Sequence, residues 1–162
     1  MIKEKYPEAK FLFITHSPAM MILSKLDKYY LKKEDIVITE ASRQEVPLYT
    51  KAGDINISFI QPVYSKLSSS PTKLGEVLAM GIPVIVNSGV GDVEEIIKET
   101  ASGFVIHNFK EEEYKAAVDS IEDLLKKRPE DIRFKAEKIY SLDKGIAEYK
   151  RCYQEVFSTG KV

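Results

Sequence analysis

Short β-rich runs alternate with helical patterns through the first two-thirds of the chain, and this alternation limits the possible folds more than any other feature. Residues 11–15, 35–39, 55–60, 83–87 and 103–107 carry the β-branched and aromatic residues of strands. Residues 18–30, 43–51, 71–80 and 92–100 lie between them and carry helical periodicity over lengths that suit crossovers. Strands joined by such crossovers run parallel, and a parallel sheet needs helices on both faces. The expected class is doubly wound α/β, with a mainly parallel sheet of about five strands.

Beyond the last strand the chain reads as helix. Asn108 and Glu111 have capping-box spacing, and Tyr114, Ala117, Val118, Ile121, Leu124 and Leu125 form one apolar stripe that should pack on the sheet. The acidic residues Glu111 to Glu113 fall in the first turn, where the helix dipole favours negative charge. Residues 129–140 lead into a final helix of residues 142–157. Its Ile146, Tyr149, Tyr153, Val156 and Phe157 recur at helical spacing and read as core.

With 162 residues and 44% hydrophobic content, the chain can bury one sizeable core, so residues 1–162 are expected to form a single domain. Lys and Arg total 24 against 25 acidic residues, which gives no overall field to attract nucleic acid or an anionic membrane. Cys152 is the only cysteine, excluding an internal disulfide. With only His16 and His107 beside it, no zinc-type ligand set is expected. No apolar run approaches the roughly 20 residues of a spanning helix, and the start has no signal-peptide core. These features fit a reducing cytoplasm. Ile2 to Tyr6 read as the last turn of a helix stopped by Pro7, so the N-terminus looks truncated.

The chemistry concentrates in residues 65–92, SKLSSSPTKLGEVLAMGIPVIVNSGVGD, which hold two loop-to-helix junctions. At the first, Ser70 is a good N-cap and Pro71 suits the first helical position, leaving the N–H groups of Thr72 and Lys73 to meet an anion. Thr72 and Lys73 precede Glu76 by four and three residues, so the three share a face while Leu74, Val77 and Leu78 face the sheet. Gly75 weakens the helix by about 1 kcal/mol relative to alanine, which makes sense where a ligand or another backbone comes close. The same spacing also describes a capped helix with a surface Lys73–Glu76 pair. At the second junction, a strand runs into Ser88-Gly89-Val90-Gly91, followed by Asp92 and Glu95 at capping-box spacing. Gly89 and Gly91 would let backbone N–H groups approach a phosphate or sugar hydroxyl, although a tight turn alone also explains them. Two such junctions on consecutive parallel strands fall where ligands bind in this architecture.

The segment PTKLGEVLAMGIPVIVNSGVGDVEEII, together with YSLDKGIAEY near the end, closely resembles the family-4 retaining glycosyltransferases of the GT-B fold, in which two Rossmann-like domains face each other across a cleft. The likeness extends over nearly the whole chain and implies the C-terminal, donor-binding domain. It implies that Glu76 hydrogen-bonds the donor ribose hydroxyls, that Thr72 and Lys73 lie by the diphosphate, and that Gly89 and Gly91 shape the loop beside the donor. Many relatives carry a second glutamate eight positions before the ribose-binding one; Ser68 stands there in this chain. Either the run Ser68, Ser69 and Ser70 meets the sugar, or that contact is missing. The family's first strand, glycine loop and Arg/Lys phosphate clamp are expected upstream of Met1, as is the acceptor domain, leaving catalytic residues unassigned. The missing strand is central in the family sheet, so either the five remaining strands close the gap or another chain fills it, and open edges invite self-association. His16 follows the first strand on the cleft side and could approach a ligand; a histidine there more often satisfies loop backbone.

The resemblance implies transfer of a sugar from a UDP- or GDP-linked donor, without metal or cofactor, to a glycan or lipid-linked acceptor held by the missing domain. The isolated chain would then be inactive, and its parent cytoplasmic or peripheral to the inner face of the membrane. Two alternatives use similar parts: a sugar-nucleotide epimerase domain, and a non-catalytic nucleotide-binding or assembly module.

Overall fold

The computed structural model describes residues 1–29 and 31–159. Tyr30, where the first expected crossover ends, and residues 160–162, the tail of the expected domain, lie outside them. The first short helix, α1 (Ile2–Lys5), is the helical turn expected before Pro7. The α/β alternation follows as β1 (Phe11–Ile14), α2 (Ala19–Leu23), β2 (Ile36–Thr39), α3 (Val46–Lys51) and β3 (Asn56–Ser58). It continues through α4 (Thr72–Ala79), β4 (Val84–Asn87), α5 (Val93–Thr100) and β5 (Gly103–Ile106) before the helical tail of α6 (Glu111–Leu125), α7 (Pro129–Tyr140) and α8 (Leu142–Thr159). All pairings are parallel.

The five strands form two ladders, β1–β2 and β3–β4–β5, and no strand pairing among the described residues joins them. The five strands therefore do not close into one continuous ladder. Instead α1 bridges the ladders. Its Ile2 side chain and the adjacent Tyr6 pack with Ile85, Ile106 and Ile121, while Lys3 pairs with Asp35 at the entry to β2 at 2.8 Å. Lys5 reaches Asp119 on α6 at 2.6 Å.

Alternation along β4 divides the core between the two faces of the sheet. Val84 and Val86 pack under α4, α5 and α7 with Leu78, Ile96 and Ile132, whereas Ile85 packs with Ile106, Ala117 and Leu124 on the α6 side. The stripe expected on α6 is buried at Ala117, Val118, Ile121 and Leu124, although Leu125 at its end is exposed.

Several local expectations are corrected. Of the crossover expected over 18–30, only α2 and a 3-10 turn at Asp27–Tyr29 form, and Met20 and Met21 are exposed. The helix expected to begin at 43 begins at Val46, because Pro47 lacks an N–H and fits only the first turn. Asn108 does not cap α6, whose N-cap is Lys110. The Asn108 side chain instead accepts the Lys110 N–H at 3.0 Å, closing a local turn. Ile146, Tyr149, Tyr153, Val156 and Phe157 are not core: all are exposed on α8, which touches the rest of the fold chiefly through α7.

Candidate functional site

The C-terminal ends of β3 and β4 each release a loop toward a helix, and the two loops run side by side. The first begins at Phe59 and enters α4; the second spans residues 88–92 and enters α5. Helix α4 buries Leu74, Val77 and Leu78 and leaves Thr72, Lys73 and Glu76 exposed, so the polar and apolar faces separate as the sequence spacing predicts. The N–H groups of Thr72 and Lys73 take no backbone acceptor among the described residues, while that of Leu74 turns back to the Pro71 carbonyl at 3.0 Å. Lys73 and Glu76 form no ion pair with each other or with another described residue. The surface-pair reading of that spacing is therefore not what the structure shows.

The two expected caps differ from their sequence reading, and they do so together. Ser70 stands one residue too early: Pro71 is the N-cap, so the Ser70 hydroxyl cannot turn back onto the first N–H groups. Asp92 is an N-cap by position but makes no side-chain cap bond, because its backbone (φ −94°, ψ 12°) is not the extended conformation that aims a capping side chain. The Ser70 hydroxyl donates instead to the Asp92 carboxylate at 3.2 Å, linking the two loops.

More contacts hold the same seam. The Gly91 N–H donates to the Lys66 carbonyl at 2.9 Å. Gly91 has φ 42°, and a Cβ there would lie 2.1 Å from the Ser69 carbonyl oxygen. Gly89 has φ 76°, and a Cβ there would lie 3.0 Å from the Pro62 side chain. Both glycines thus allow the first loop to press against the second. Ser68 is exposed and Ser69 half-buried along this seam. Beneath it, Asn87 is 4% exposed and spends its side chain on loop backbone. Its Oδ1 accepts the Ile60 N–H at 2.7 Å, and its Nδ2 donates to the carbonyls of Ile60 and Ser88, both at 2.8 Å.

Gly75 is also explained by packing. A Cβ there would meet the ring of Tyr140, from the end of α7, at 3.0 Å. The Tyr140 hydroxyl is buried without a hydrogen-bond partner among the described residues. Burial first, and the charge of Asp92 second, push its phenol up to about 12. A cavity of about 20 Å³ lies below the start of α4, bordered by Ser58, Ile60, Pro71, Leu74 and Asn87. That is room for about one water, so any larger ligand must bind on the open surface above.

His16 is set apart from this seam. It is exposed after β1, 3.6 Å from the Glu40 carboxylate beyond β2, and makes no hydrogen bond or ion pair to residues 68–76. His107 has its Nδ1 3.9 Å from Glu94, and its N–H donates to Glu113 at 2.7 Å. Among the described residues, no three His, Cys, Asp or Glu side chains gather into a metal-ligand group. Sequence reading missed Asn87 and Tyr140. The available signal for Asn87 was an amide ending the apolar run Val84 to Val86; for Tyr140 it was a place at the end of a helix and at the start of the segment YSLDKGIAEY.

Parallel strands with helices on both faces and paired loop-to-helix junctions at their carboxyl edge define a Rossmann-like α/β domain. The sequence matches the family described as "Glycosyl transferases group 1" over residues 1–139, and the chain belongs to that family. The fold is similar to that of sucrose-phosphate synthase from Thermosynechococcus elongatus, with TM-score 0.73 and 14% identity over 98% of this chain. The chain spans 41% of the length of that protein. No curated protein sequence matches it.

Proposed function

We propose that this chain is the donor-binding domain of a glycosyltransferase that moves a sugar from a nucleoside diphosphate sugar, UDP- or GDP-linked, to a glycan or lipid-linked acceptor. The observation that carries this reading is the face of α4. Two free N–H groups, a hydroxyl and an ammonium open the helix, and an unpaired carboxylate lies one turn further on. Thr72, Lys73 and the helix N-terminus suit the diphosphate, since the dipole and the ammonium both favour negative charge. Glu76 suits the ribose, because a carboxylate can accept two hydroxyl donors. Ser68, Ser69 and Ser70 lie where the sugar would sit, with Gly89 and Gly91 beside them and His16 further off.

In this reading transfer proceeds with retention and without a metal, because Lys73 and the helix N-terminus carry part of the charge that develops on the leaving diphosphate. The acceptor lies on a second domain, so the isolated chain binds donor but does not transfer it. Among the described residues no helix is long and apolar enough to cross a membrane. In this reading the parent is cytoplasmic or sits peripherally at the inner face of the membrane. The unjoined edges of β1 and β3 would further favour self-association, observable as concentration-dependent sedimentation.

Calorimetric titration with UDP, GDP and their sugars tests the donor site. One nucleotide should bind, and Glu76→Ala should weaken it about tenfold to a hundredfold, the effect of removing charge-assisted hydrogen bonds. Equal affinity in Glu76→Ala would remove the ribose assignment.

A further inference from the structure

We infer that Asn87 is a positioning residue of the donor site: its amide fixes the loop after β3 so that Ser68 to Ser70 and the first N–H groups of α4 are held ready for a diphosphate. The inference rests on the donor-site reading above. Pairing between β3 and β4 ends at Ser58 and Val86, one residue short of Asn87. Beyond that point the Asn87 side chain takes over from the backbone. By accepting from the Ile60 N–H and donating to the Ile60 carbonyl, it satisfies through one side chain both backbone groups that a neighbouring strand would otherwise have to meet. Its second donor bond, to Ser88, fixes the start of the neighbouring loop with the same amide.

The chain between Ile60 and α4 has only a 3-10 turn at Tyr64–Lys66 of its own, so its course depends on what holds it. Asn87 holds its beginning, the Gly91 N–H holds Lys66, and Asp92 holds Ser70 just before the helix. Of these three ties only that from Asn87 is made by a buried side chain, and it alone uses both donor and acceptor. Aspartate at this position would keep the Ile60 N–H satisfied but turn a carboxylate oxygen toward two carbonyls. The loop would shift, and with it the serines and the helix entrance, while Glu76 on the next turn of α4 would stay anchored by Leu74, Val77 and Leu78.

The test separates phosphate recognition from nucleoside recognition. UDP and GDP, with uridine and guanosine as phosphate-free probes, are titrated into the wild-type chain, Asn87→Asp, Asn87→Thr and Glu76→Ala, with thermal melting of each. Asn87→Thr places a β-branched residue, which suits a strand end, in case the aspartate variant fails to fold. The expected result is a loss of about tenfold in diphosphate affinity for the Asn87 variants, with nucleoside affinity within about twofold of wild type. Glu76→Ala should weaken both probes together. If the wild type binds and Glu76→Ala does not, while both Asn87 variants bind diphosphate normally, the positioning role is overturned and the donor site stands. Equal loss of nucleoside and diphosphate, tracking a lowered melting temperature, reduces Asn87 to a structural residue. A wild-type chain that binds none of the probes overturns the donor reading and this inference with it.

Discussion

Strand β4, central in the three-stranded ladder, and strands β1 and β2 of the two-stranded ladder share parallel pairing but differ sharply in burial, while β3, at the edge beside β4, is itself 42% exposed at Ile57. In β4, Val84, Ile85, Val86 and Asn87 are all 5% exposed or less. In the other ladder, Leu12, Phe13 and Val37 are 37%, 38% and 49% exposed. The cause is the helices rather than the strands. Strand β4 has α4, α5 and α7 on one face and α6 on the other, all of at least eight residues, whereas β1 and β2 are accompanied by helices of five and six residues with exposed Met20, Met21 and Leu48. A parallel strand is stabilised by what covers both faces, and hydrogen bonding alone leaves it marginal. The candidate site sits on the covered ladder, where rigid elements can hold side chains to a fixed geometry.

That comparison can be broken most readily by truncating equivalent strand positions. Ile85→Ala should lower the unfolding free energy by about 2–5 kcal/mol, whereas Val37→Ala should change it by no more than about 0.5 kcal/mol. Urea titrations followed by circular dichroism measure both, and equal losses would erase the distinction between the ladders. A smaller effect is expected at the seam. Gly91→Ala combines a positive φ with a carbonyl in the way and should cost about 1–3 kcal/mol. If it melts like wild type, the close approach of the two loops is not as described. Hydrogen exchange sharpens the contrast without mutation: amides of β4 and β5 should exchange only with global unfolding, and those of β1 and β2 through local opening.

The smallest expected effect concerns the tie between α1 and the uncovered ladder. The hydrogen bond from Lys3 holds the Asp35 carboxyl below its ordinary value of 3.8, against the opposing effect of burial. A depressed carboxyl pKa contributes stability that is present above the unfolded value and lost as pH falls through the folded one. Lys3→Ala should therefore be less stable than wild type at neutral pH, and the difference should close below pH 3.8. A difference that persisted unchanged in acid would assign the contribution of Lys3 to packing.

Much of the covered ladder was legible in the sequence. The run Pro83 to Val86 is apolar throughout, as a strand buried on both faces must be, and Leu74, Val77 and Leu78 keep helical spacing. The exposed aromatics of α8 show where periodicity stops being informative. Ile146, Tyr149 and Tyr153 mark one apolar face, but spacing cannot say whether anything within the chain covers it. The caps failed for a finer reason: Ser70 and Asp92 have capping chemistry, yet a one-residue offset and a non-extended backbone redirect both side chains to each other. The amide of Asn87 at the end of an apolar run was visible, but its role was not, because Ile60 becomes its neighbour only where β3 leaves the ladder.

The most direct test of the central claim is chemical-shift mapping of backbone amides during titration with UDP and GDP. The account expects one of them to shift the amides of residues 68–76 and 87–92, at the carboxyl edge of the covered ladder, and to leave β1, β2 and α8 unmoved. Shifts centred on His16 and the β1–β2 ladder, or none with either nucleotide, would contradict it.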